Sequence, residues 1–507
     1  MEENKNSLPF ENGAEQPQRP AFPAGKRELI LVLTVLLISV FIADLFINGA
    51  LCMAFGIAAS AVILVSAVYL IRSGRKLTFY SGALLTLSVI TALSFGRSED
   101  GFVKFVMFLF LCFSANLGLC LLAGKNHRDP RGFTSIADAF RTAFTLGLGR
   151  VSPAISGLKA AGKARKGSKT ASAVLAGLLM AVPLVIVLVV LLVSADAAFE
   201  GLVNLLPEVE LWEPVTSLIF GIPLGIFFYC RATALQHDEE TPSAPRGGAR
   251  LSTITVNTVL GAVSLVYAVY LFSQLAYFAG GLSGILPEEF TVAEYARRGF
   301  FEMAVICSIN LFVISLGVGL TQKEGGAPLS VRILCLFIGI ITLFLTVASS
   351  AKMVMYIGSY GLTRLRVLTQ VIILFMALAT IFVCVWLFVR RMPYMKVIVL
   401  TALLMGAIVA WTDVDTVVAC YNVRAYQSGV LETVDISHLR SLSDGAVPYL
   451  AELANDKDFA VAGQARDALR QRERRDGDED FRSWNIADAI ADTYSAPYAD
   501  AESDTDH

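Results

Sequence analysis

About eleven apolar stretches, each close to the length of a membrane-spanning helix, constrain this chain more than any other feature. A hydrocarbon core about 30 Å thick needs roughly 20 apolar residues of helix, because backbone groups in lipid must bond within the chain. Hydrophobic residues make up 55% of the 507 residues, and the mean hydropathy is +0.63. The stretches are Leu29–Ile47, Leu51–Ile71, Leu77–Phe95, Phe102–Ala123, Ala171–Val193, Val215–Tyr229, Ile254–Ala279, Gly299–Leu320, Val331–Ala351, Leu365–Val389 and Tyr394–Thr412. The sequence therefore predicts an all-α, polytopic transmembrane helix bundle.

The sixth stretch, Val215–Tyr229, is the weakest of these predictions. It is short, follows Pro214 and contains Pro223, which removes a helical hydrogen bond and kinks a helix. Both a kinked span and a re-entrant segment fit this pattern. We keep it as a span because the alternation of basic and acidic loops requires a crossing here.

The positions of lysine and arginine predict how the bundle is oriented. Loops rich in these residues tend to stay in the cytoplasm. With the N-terminus inside, the inner loops carry the basic clusters, whereas the loop after the fifth stretch is acidic. The inner basic residues are Lys26, Arg27, Arg72, Arg75, Lys76, those between Lys125 and Lys169, Arg390, Arg391 and Lys396. An odd number of spans in the plasma membrane then places the C-terminal region outside the cytoplasm.

The loop after the fourth stretch, residues 124–170, mixes cations with apolar side chains. Its basic residues are Lys125, Arg128, Arg131, Arg141, Arg150, Lys159, Lys163, Arg165, Lys166 and Lys169. Such a segment is typical of a surface that lies along anionic lipid, where each cation contributes about 1 kcal/mol. The same charges also serve as a simple topology signal, so both interpretations stay open.

Changes in composition divide the chain into six parts. These are a polar cytoplasmic tail over 1–28, four transmembrane helices over 29–123, the basic loop over 124–170, seven further transmembrane helices over 171–413, a small helical soluble region over 414–494 and a disordered acidic tail over 495–507. In the soluble region, Leu439, Leu442, Val447, Leu450 and Leu453 form one predicted apolar seam on two or three short helices. Because this seam is too small to stand alone, we expect the region to pack on the outer face of the bundle.

Several stretches carry a resemblance to known families. They are LLVSADAAF at Leu191–Phe199, EYARRGFFEM at Glu294–Met303, YGLTRLR at Tyr360–Arg366, YNVRAYQSG at Tyr421–Gly429, DISHLRSLSDGAVPYL at Asp435–Leu450 and SWNIADAIA at Ser483–Ala491. These stretches resemble the bacterial multi-pass membrane families called domains of unknown function 4153 and 4173, more closely the second. The resemblance implies a membrane protein of the bacterial cell envelope and no established activity.

Ionisable groups at the ends of spans are the candidate functional residues, because such groups are costly in lipid. The candidate outer polar cluster is Asp44, Asp196, Glu294, Arg298, Glu302, Asn310, Lys352, Arg364, Arg366, Gln370 and Asp413. Glu294, Arg298 and Glu302 are spaced by four, so one helix aligns them with Asn310, about 12 Å deeper. We expect these residues to converge on an extracytoplasmic pocket under the soluble region. The alternative is a set of interfacial ion pairs that fix helix packing.

Catalytic and metal-binding patterns are weak in this sequence. The four histidines, His127, His237, His438 and His507, are spread over separate segments, which argues against a zinc site or a His-centred triad. Asp413 and Asp415 are two apart and point to different faces of a helix, which favours a helix-end role over acid–base chemistry. We predict no catalytic residue, cofactor, metal or nucleic-acid partner, and the sequence favours a non-enzymatic protein.

Two functions of different classes follow from these patterns. The first is a non-enzymatic cell-envelope protein that presents an outer polar surface to an extracytoplasmic protein partner, for sensing or as a scaffold. The second is a transporter or permease with the outer cluster as its entry site. Ion-coupled carriers commonly place charge near the bilayer centre, where this chain offers mainly Asn310. A membrane-embedded lipid or glycan enzyme is a third possibility. In each case the lipid bilayer is a partner, with anionic lipid at the loop 125–169.

Overall fold

The computed structural model describes residues 22–23, 25–47, 49, 51–97, 100–125, 148–164, 188, 212–237, 251–282, 300–321, 327–389, 392–471, 482 and 484–499. Every regular element in these ranges is helical, which confirms the predicted all-α class. Nine of the helices in these ranges are long and apolar enough to cross a membrane. The chain is therefore a multi-pass integral membrane protein.

The described residues contain ten long helices of the bundle and one shorter helix from the basic loop. They are α1 Lys26–Ile47, α2 Met53–Arg72, α3 Phe79–Leu93, α4 Gly101–Leu122, the shorter α5 Val151–Ala164, α6 Trp212–His237, α7 Thr253–Leu282, α8 Phe300–Thr321, α9 Leu329–Tyr360, α10 Arg364–Phe388 and α11 Tyr394–Thr412. Nine predicted spans coincide with helices that are long and apolar enough to cross a membrane. The eighth coincides with α8, whose apolar part, Val305–Thr321, is shorter. The fifth, 171–193, lies outside the described residues except for Leu188.

The sixth span is longer than its sequence suggests. α6 covers 26 residues and continues through Pro223, so the predicted limits Val215 and Tyr229 were too narrow at both ends. The helix is held along its length by α1, which packs against it. A Cβ atom added to Gly221 of α6 would lie 2.4 Å from Val40 Cα, so the two backbones approach as closely as glycine allows. Close packing at small residues is a common source of stability between membrane helices.

Helix α11 joins two groups of helices. One group contains α1–α4 and α6, and the other contains α7–α10. α11 contacts α3 and α4 on one side and α10 on the other. Trp411, at the end of α11, donates its indole N–H to the Ile90 carbonyl of α3 at 3.0 Å. The two groups are thus parts of one bundle.

One end of the bundle, here the basic end, gathers the N-terminus of α1 and the C-termini of α2 and α6. Arg27 donates to the Arg72 carbonyl at 3.0 Å, and Arg75 donates to the Gln236 carbonyl at 2.8 Å. The opposite end, here the distal end, holds the C-termini of α1 and α11 and the N-terminus of α10. The side of the membrane that each end faces stays a prediction.

The C-terminal region consists of helices α12–α16 and packs on the distal end. The helices are α12 Val414–Gln427, α13 Ile436–Arg440, α14 Val447–Leu453, α15 Phe459–Arg470 and α16 Ile486–Ala499. The predicted apolar seam is confirmed: Leu439, Val447, Leu450 and Leu453 are buried together, and Leu442 packs against them. The disorder expected from residue 495 onward is wrong for 495–499, because α16 continues to Ala499 and buries Ser495.

Candidate functional site

A charged cluster at the distal end joins the C-terminal region to two membrane helices. Arg364, the first residue of α10, donates Nη2 to Asp415 Oδ2 at 2.5 Å and Nε to the other carboxylate oxygen. Its Nη1 lies 3.1 Å from Asp100 Oδ2 at the start of α4. Asp415 also accepts the backbone N–H of Ser443 at 2.8 Å. We call these four residues the Arg364 cluster.

Helix ends place the two carboxylates of the Arg364 cluster. Asp100 caps α4 by accepting the Val103 N–H at 2.7 Å, which holds one of its oxygens at the helix start. Asp415 lies in the first turn of α12, where the helix dipole stabilises a negative charge. The Asp415 side chain is 0% exposed and that of Asp100 is 8% exposed, whereas Arg364 keeps 35%. The Arg364 guanidinium is therefore partly exposed to water while it bonds to the buried Asp415 carboxylate.

An amide pair fixes α12 to the turn between α9 and α10. Asn422 accepts the Leu362 N–H at 2.6 Å and donates to the Leu362 carbonyl at 2.9 Å. The Asn422 amide thus satisfies both backbone hydrogen-bonding groups of Leu362. The turn itself begins at Gly361, whose φ of 74° and ψ of −178° are adopted essentially by glycine alone.

A second charged group, the Arg482 cluster, consists of Asp44, Glu213, Ser217 and Arg482. Arg482 lies 3.5 Å from Asp44 Oδ2 near the end of α1 and 3.0 Å from Glu213 Oε2 at the start of α6. Ser217 donates to Asp44 Oδ1 at 2.9 Å. The C-terminal region is therefore attached to the bundle at two places, and Asp44 belongs to a different group from Arg364.

The carboxylate of Asp413 is hydrogen-bonded at the start of α12. It accepts the Thr416 hydroxyl at 2.6 Å in the first turn of α12, and Asp413 itself adopts φ 52° where α11 ends. A Cβ atom added to Gly445 would lie 2.2 Å from the Asp413 carboxylate, so the loop before α14 presses on this group. The pair Asp413 and Asp415 thus has the helix-end role that their spacing favours.

Three further candidates lie along α9 and α10. Arg366 donates to the Tyr360 carbonyl at 3.0 Å and stacks its guanidinium 4.1 Å from the centre of the Tyr356 ring. Gln370 accepts the Ser350 hydroxyl at 3.1 Å, which links the two helices deeper in the bundle. Lys352 is half-buried on α9. The contacts of Arg366 and Gln370 stabilise the α9–α10 hairpin.

Asn310 lies apart from both charged clusters, at the middle of α8. Its Oδ1 accepts the Tyr267 hydroxyl of α7 at 2.6 Å, and its Nδ2 donates to the Thr342 hydroxyl of α9 at 2.9 Å. Cys307 and Ile314, one turn away on either side, are 1% and 0% exposed in apolar clusters. The Asn310 amide thus links α7, α8 and α9, and its oxygen and its nitrogen each have a hydrogen-bond partner.

Part of the predicted stripe cannot be placed. Asp196, Glu294 and Arg298 lie outside the described residues, and Glu302 lies in the first turn of α8. Of the predicted cluster, Arg364 and Asp413 come to the start of α12, while the remaining described members belong to separate contacts. Their convergence on one pocket stays a prediction.

Several residues of the site were not singled out from the sequence. Asp100 and Asn422 are joined to their partners across many residues, and only the Asp100 helix-start pattern was available as a signal. Arg231 is likewise buried, donating to the Asn116 carbonyl at 3.4 Å and to its side chain. A single arginine in an apolar stretch is a general signal for a functional or structural polar contact.

The chemistry available at the distal end is ion pairing and hydrogen bonding. Within the described parts of the chain, no group of three His, Cys, Asp or Glu side chains is arranged to hold a metal ion. Burial raises the pKa of Asp415, but hydrogen bonds from Arg364 and Ser443 outweigh it and hold the pKa below its ordinary value. A carboxylate that stays ionised and bonded in this way is suited to fixing structure.

Comparison with known families identifies the chain. The family described as a domain of unknown function, DUF4153, matches residues 29–453, which is most of the sequence. The chain belongs to the DUF4153 family. This DUF4153 match runs from the start of α1 to the last residue of α14, so it includes both charged partners of the Arg364 cluster. The sequence resemblance had favoured family 4173, whereas the match is to its relative 4153. Neither the curated proteins nor the solved structures contain a match to this chain.

Proposed function

We propose that this DUF4153 protein is a non-enzymatic cell-envelope protein whose C-terminal region is fixed on the extracytoplasmic end of the bundle and presents a surface to a protein partner. One observation carries the proposal. The buried charged and amide groups at the distal end bond the C-terminal region to the bundle through Arg364, Asp415 and Asn422. Such bonds hold a domain in a fixed position, which suits a scaffold or a sensor.

The surroundings of Asn310 support this function over transport. A carrier binds its cargo near the midplane, commonly on unsatisfied polar groups or broken helices. Here α8 is continuous, and both ends of the Asn310 amide are used by Tyr267 and Thr342. An entering ion must first break these bonds.

We assign the basic end to the cytoplasm and the distal end to the outside. The support is the number of basic side chains near the ends of α1 and α2, including Lys26, Arg27, Arg72 and Arg75. Loops with such clusters are retained on the cytoplasmic side during insertion.

Thiol labelling in intact cells tests both the closed interior and the orientation. A membrane-impermeant thiol reagent is applied to cells that carry the Lys457→Cys variant, and labelling at each cysteine is then measured by mass spectrometry. We expect peptides that contain position 457 to be labelled and Cys307, three residues from Asn310, to be protected until the protein is denatured. Lys457 is exposed in the C-terminal region, whereas Cys307 is 1% exposed.

Two labelling results would contradict the proposal, one for the closed interior and one for the orientation. Rapid labelling of Cys307 in native membranes indicates a water-filled path and favours the transporter. Labelling at position 457 only after the cells are permeabilised reverses the orientation. The native Cys335, also buried, is the matched control for reagent access.

We further propose that the basic loop binds anionic lipid. Its helix α5 is tied to the bundle by the Phe22 N–H, which donates to the Pro153 carbonyl at 3.1 Å. Replacing Lys159 and Lys163 with glutamine should lower the ratio of anionic to zwitterionic phospholipid that copurifies with the full chain, measured by lipid mass spectrometry. The exposed Lys457→Gln variant is the control, and an unchanged ratio in the double variant contradicts lipid binding.

A further inference from the structure

A groove on the outer face of α16 is not used by any contact described so far. It has a volume of about 520 Å³ and is lined by Trp484, Ile486, Ala489, Ile490, Thr493 and Tyr494. The lining is apolar except for the Thr493 hydroxyl, the Tyr494 hydroxyl and the Trp484 indole N–H. We call it the α16 groove.

The α16 groove adjoins the buried side of α16. Ala487 and Ala491 are buried against the C-terminal core at 2% and 0% exposure. Next to these alanines, Ile490 and Tyr494 of α16 are 41% and 48% exposed, and Trp484, which precedes the helix, is 44% exposed. Neighbouring exposed apolar side chains of this kind form a candidate contact surface.

The Arg482 cluster places the groove beside the membrane helices. Arg482 is ion-paired with Asp44 near the end of α1 and with Glu213 at the start of α6. A Cβ atom added to Gly49, in the turn after α1, would lie 3.6 Å from Arg482 Cβ. Trp484 follows two residues later, so it lies within about 7 Å of chain length from Arg482.

Exposed aromatic and apolar side chains continue at the same level of the bundle. Trp212 precedes Glu213 and is 62% exposed, and Phe46 near the end of α1 is 57% exposed. Tryptophan and tyrosine are enriched at the boundary between lipid and water, where the ring is in apolar surroundings and its polar atom reaches the headgroups. Trp484 is close to this level, because it follows Arg482 by two residues.

We propose that the α16 groove lies in the interfacial layer of the bilayer and holds part of a phospholipid acyl chain. The apolar lining contacts the chain, while the Tyr494 hydroxyl and the Trp484 indole N–H face the headgroup layer. The C-terminal region is then anchored by lipid as well as by its two charged clusters. This inference does not depend on the protein partner of the proposed function.

Tryptophan quenching by brominated lipid tests the proposal directly. The full chain and its Trp484→Phe variant are reconstituted in nanodiscs of phosphatidylcholine with or without bromine on the acyl chains. The difference in emission between the two proteins isolates Trp484, while Trp212, Trp386 and Trp411 stay in place. We expect brominated lipid to remove most of the Trp484 emission, because bromine quenches only at close contact.

Groove variants separate a lipid site from a protein-binding surface. Ile490→Asp should restore the Trp484 emission in brominated nanodiscs, whereas Phe459→Asp, at a 91% exposed position outside the groove, should leave it quenched. Full Trp484 emission in brominated lipid, combined with quenching by aqueous iodide, overturns the proposal and assigns the groove to a water-facing partner.

Discussion

Replacing Asp415 with alanine should release the C-terminal region from the distal end while leaving the membrane helices folded. The Asp415 carboxylate is 0% exposed and bonded to Arg364 and to the Ser443 N–H. Its loss leaves the guanidinium with Asp100 alone and the Ser443 N–H without its acceptor. Arg364 is a third exposed, so we expect a cost of about 2–3 kcal/mol, between the values for surface and buried pairs.

Hydrogen exchange of the protein in nanodiscs measures this release. Backbone amides of α12–α14 should exchange faster by the factor that 2–3 kcal/mol implies, roughly 30- to 150-fold, while those of α2 and α4 stay unchanged. The control is Asp467→Ala, because Asp467 is 66% exposed and only 3.7 Å from Arg470 in a weak i,i+3 pair. Wild-type exchange in Asp415→Ala would show that the Arg364 cluster does not hold the C-terminal region.

The same carboxylate predicts how attachment depends on pH. Its folded pKa lies below its ordinary value, so its contribution is fully present above the unfolded pKa of about 3.9. The contribution is lost as the pH falls through the folded value. The protection of amides in α12–α14, corrected for the intrinsic exchange rate at each pH, should therefore not change through this group between pH 7 and pH 5 and should fall below about pH 4. Asp415→Asn, which cannot ionise, should lack this step.

The membrane helices were predictable because a bilayer imposes one length and one composition on every crossing. α11 occupies the residues predicted for it, Tyr394–Thr412. The limits predicted for α6 were too narrow for a different reason. Its C-terminal end, which includes Arg231 and Gln236, is polar yet helical, because Asn116 of α4 and Arg75 in the turn after α2 bond to these residues. Such tertiary contacts do not appear in local hydropathy.

The contacts of the distal end were less predictable, because they join residues far apart in sequence. A charge at a helix end, such as Arg364 or Asp413, was recognisable from its position. Its partner was not, because any nearby carboxylate satisfies the same chemistry. Asn422 lies within a polar helix and has no distinguishing neighbour in sequence. Only the arrangement in space shows that it pairs with Leu362, 60 residues earlier.

Replacing Gly361 with alanine should also loosen the C-terminal region, by a different mechanism. Gly361 adopts φ 74° and ψ −178°, and an L-residue there costs about 1–3 kcal/mol. The added Cβ would also lie 2.7 Å from Asn422 Oδ1. The amide must then withdraw from the Leu362 N–H, a buried donor whose loss of a partner costs about 1–3 kcal/mol. The free energy that holds α12 on the α9–α10 turn should fall accordingly.

Gly358→Ala is the matched control for this change. Gly358 lies in α9, one turn before Gly361, and a Cβ atom there meets no other atom within 4 Å. Alanine is favoured over glycine in a helix by about 0.5–1 kcal/mol, so this variant should be as stable as the wild type or more stable. Asn422→Ala should reproduce the faster exchange of α12 seen in Gly361→Ala, and combining the two should add less than their sum, because both remove the same bonds. Equal protection of α12 in Gly358→Ala and Gly361→Ala would mean that the Asn422 contact with Leu362 does not fix α12.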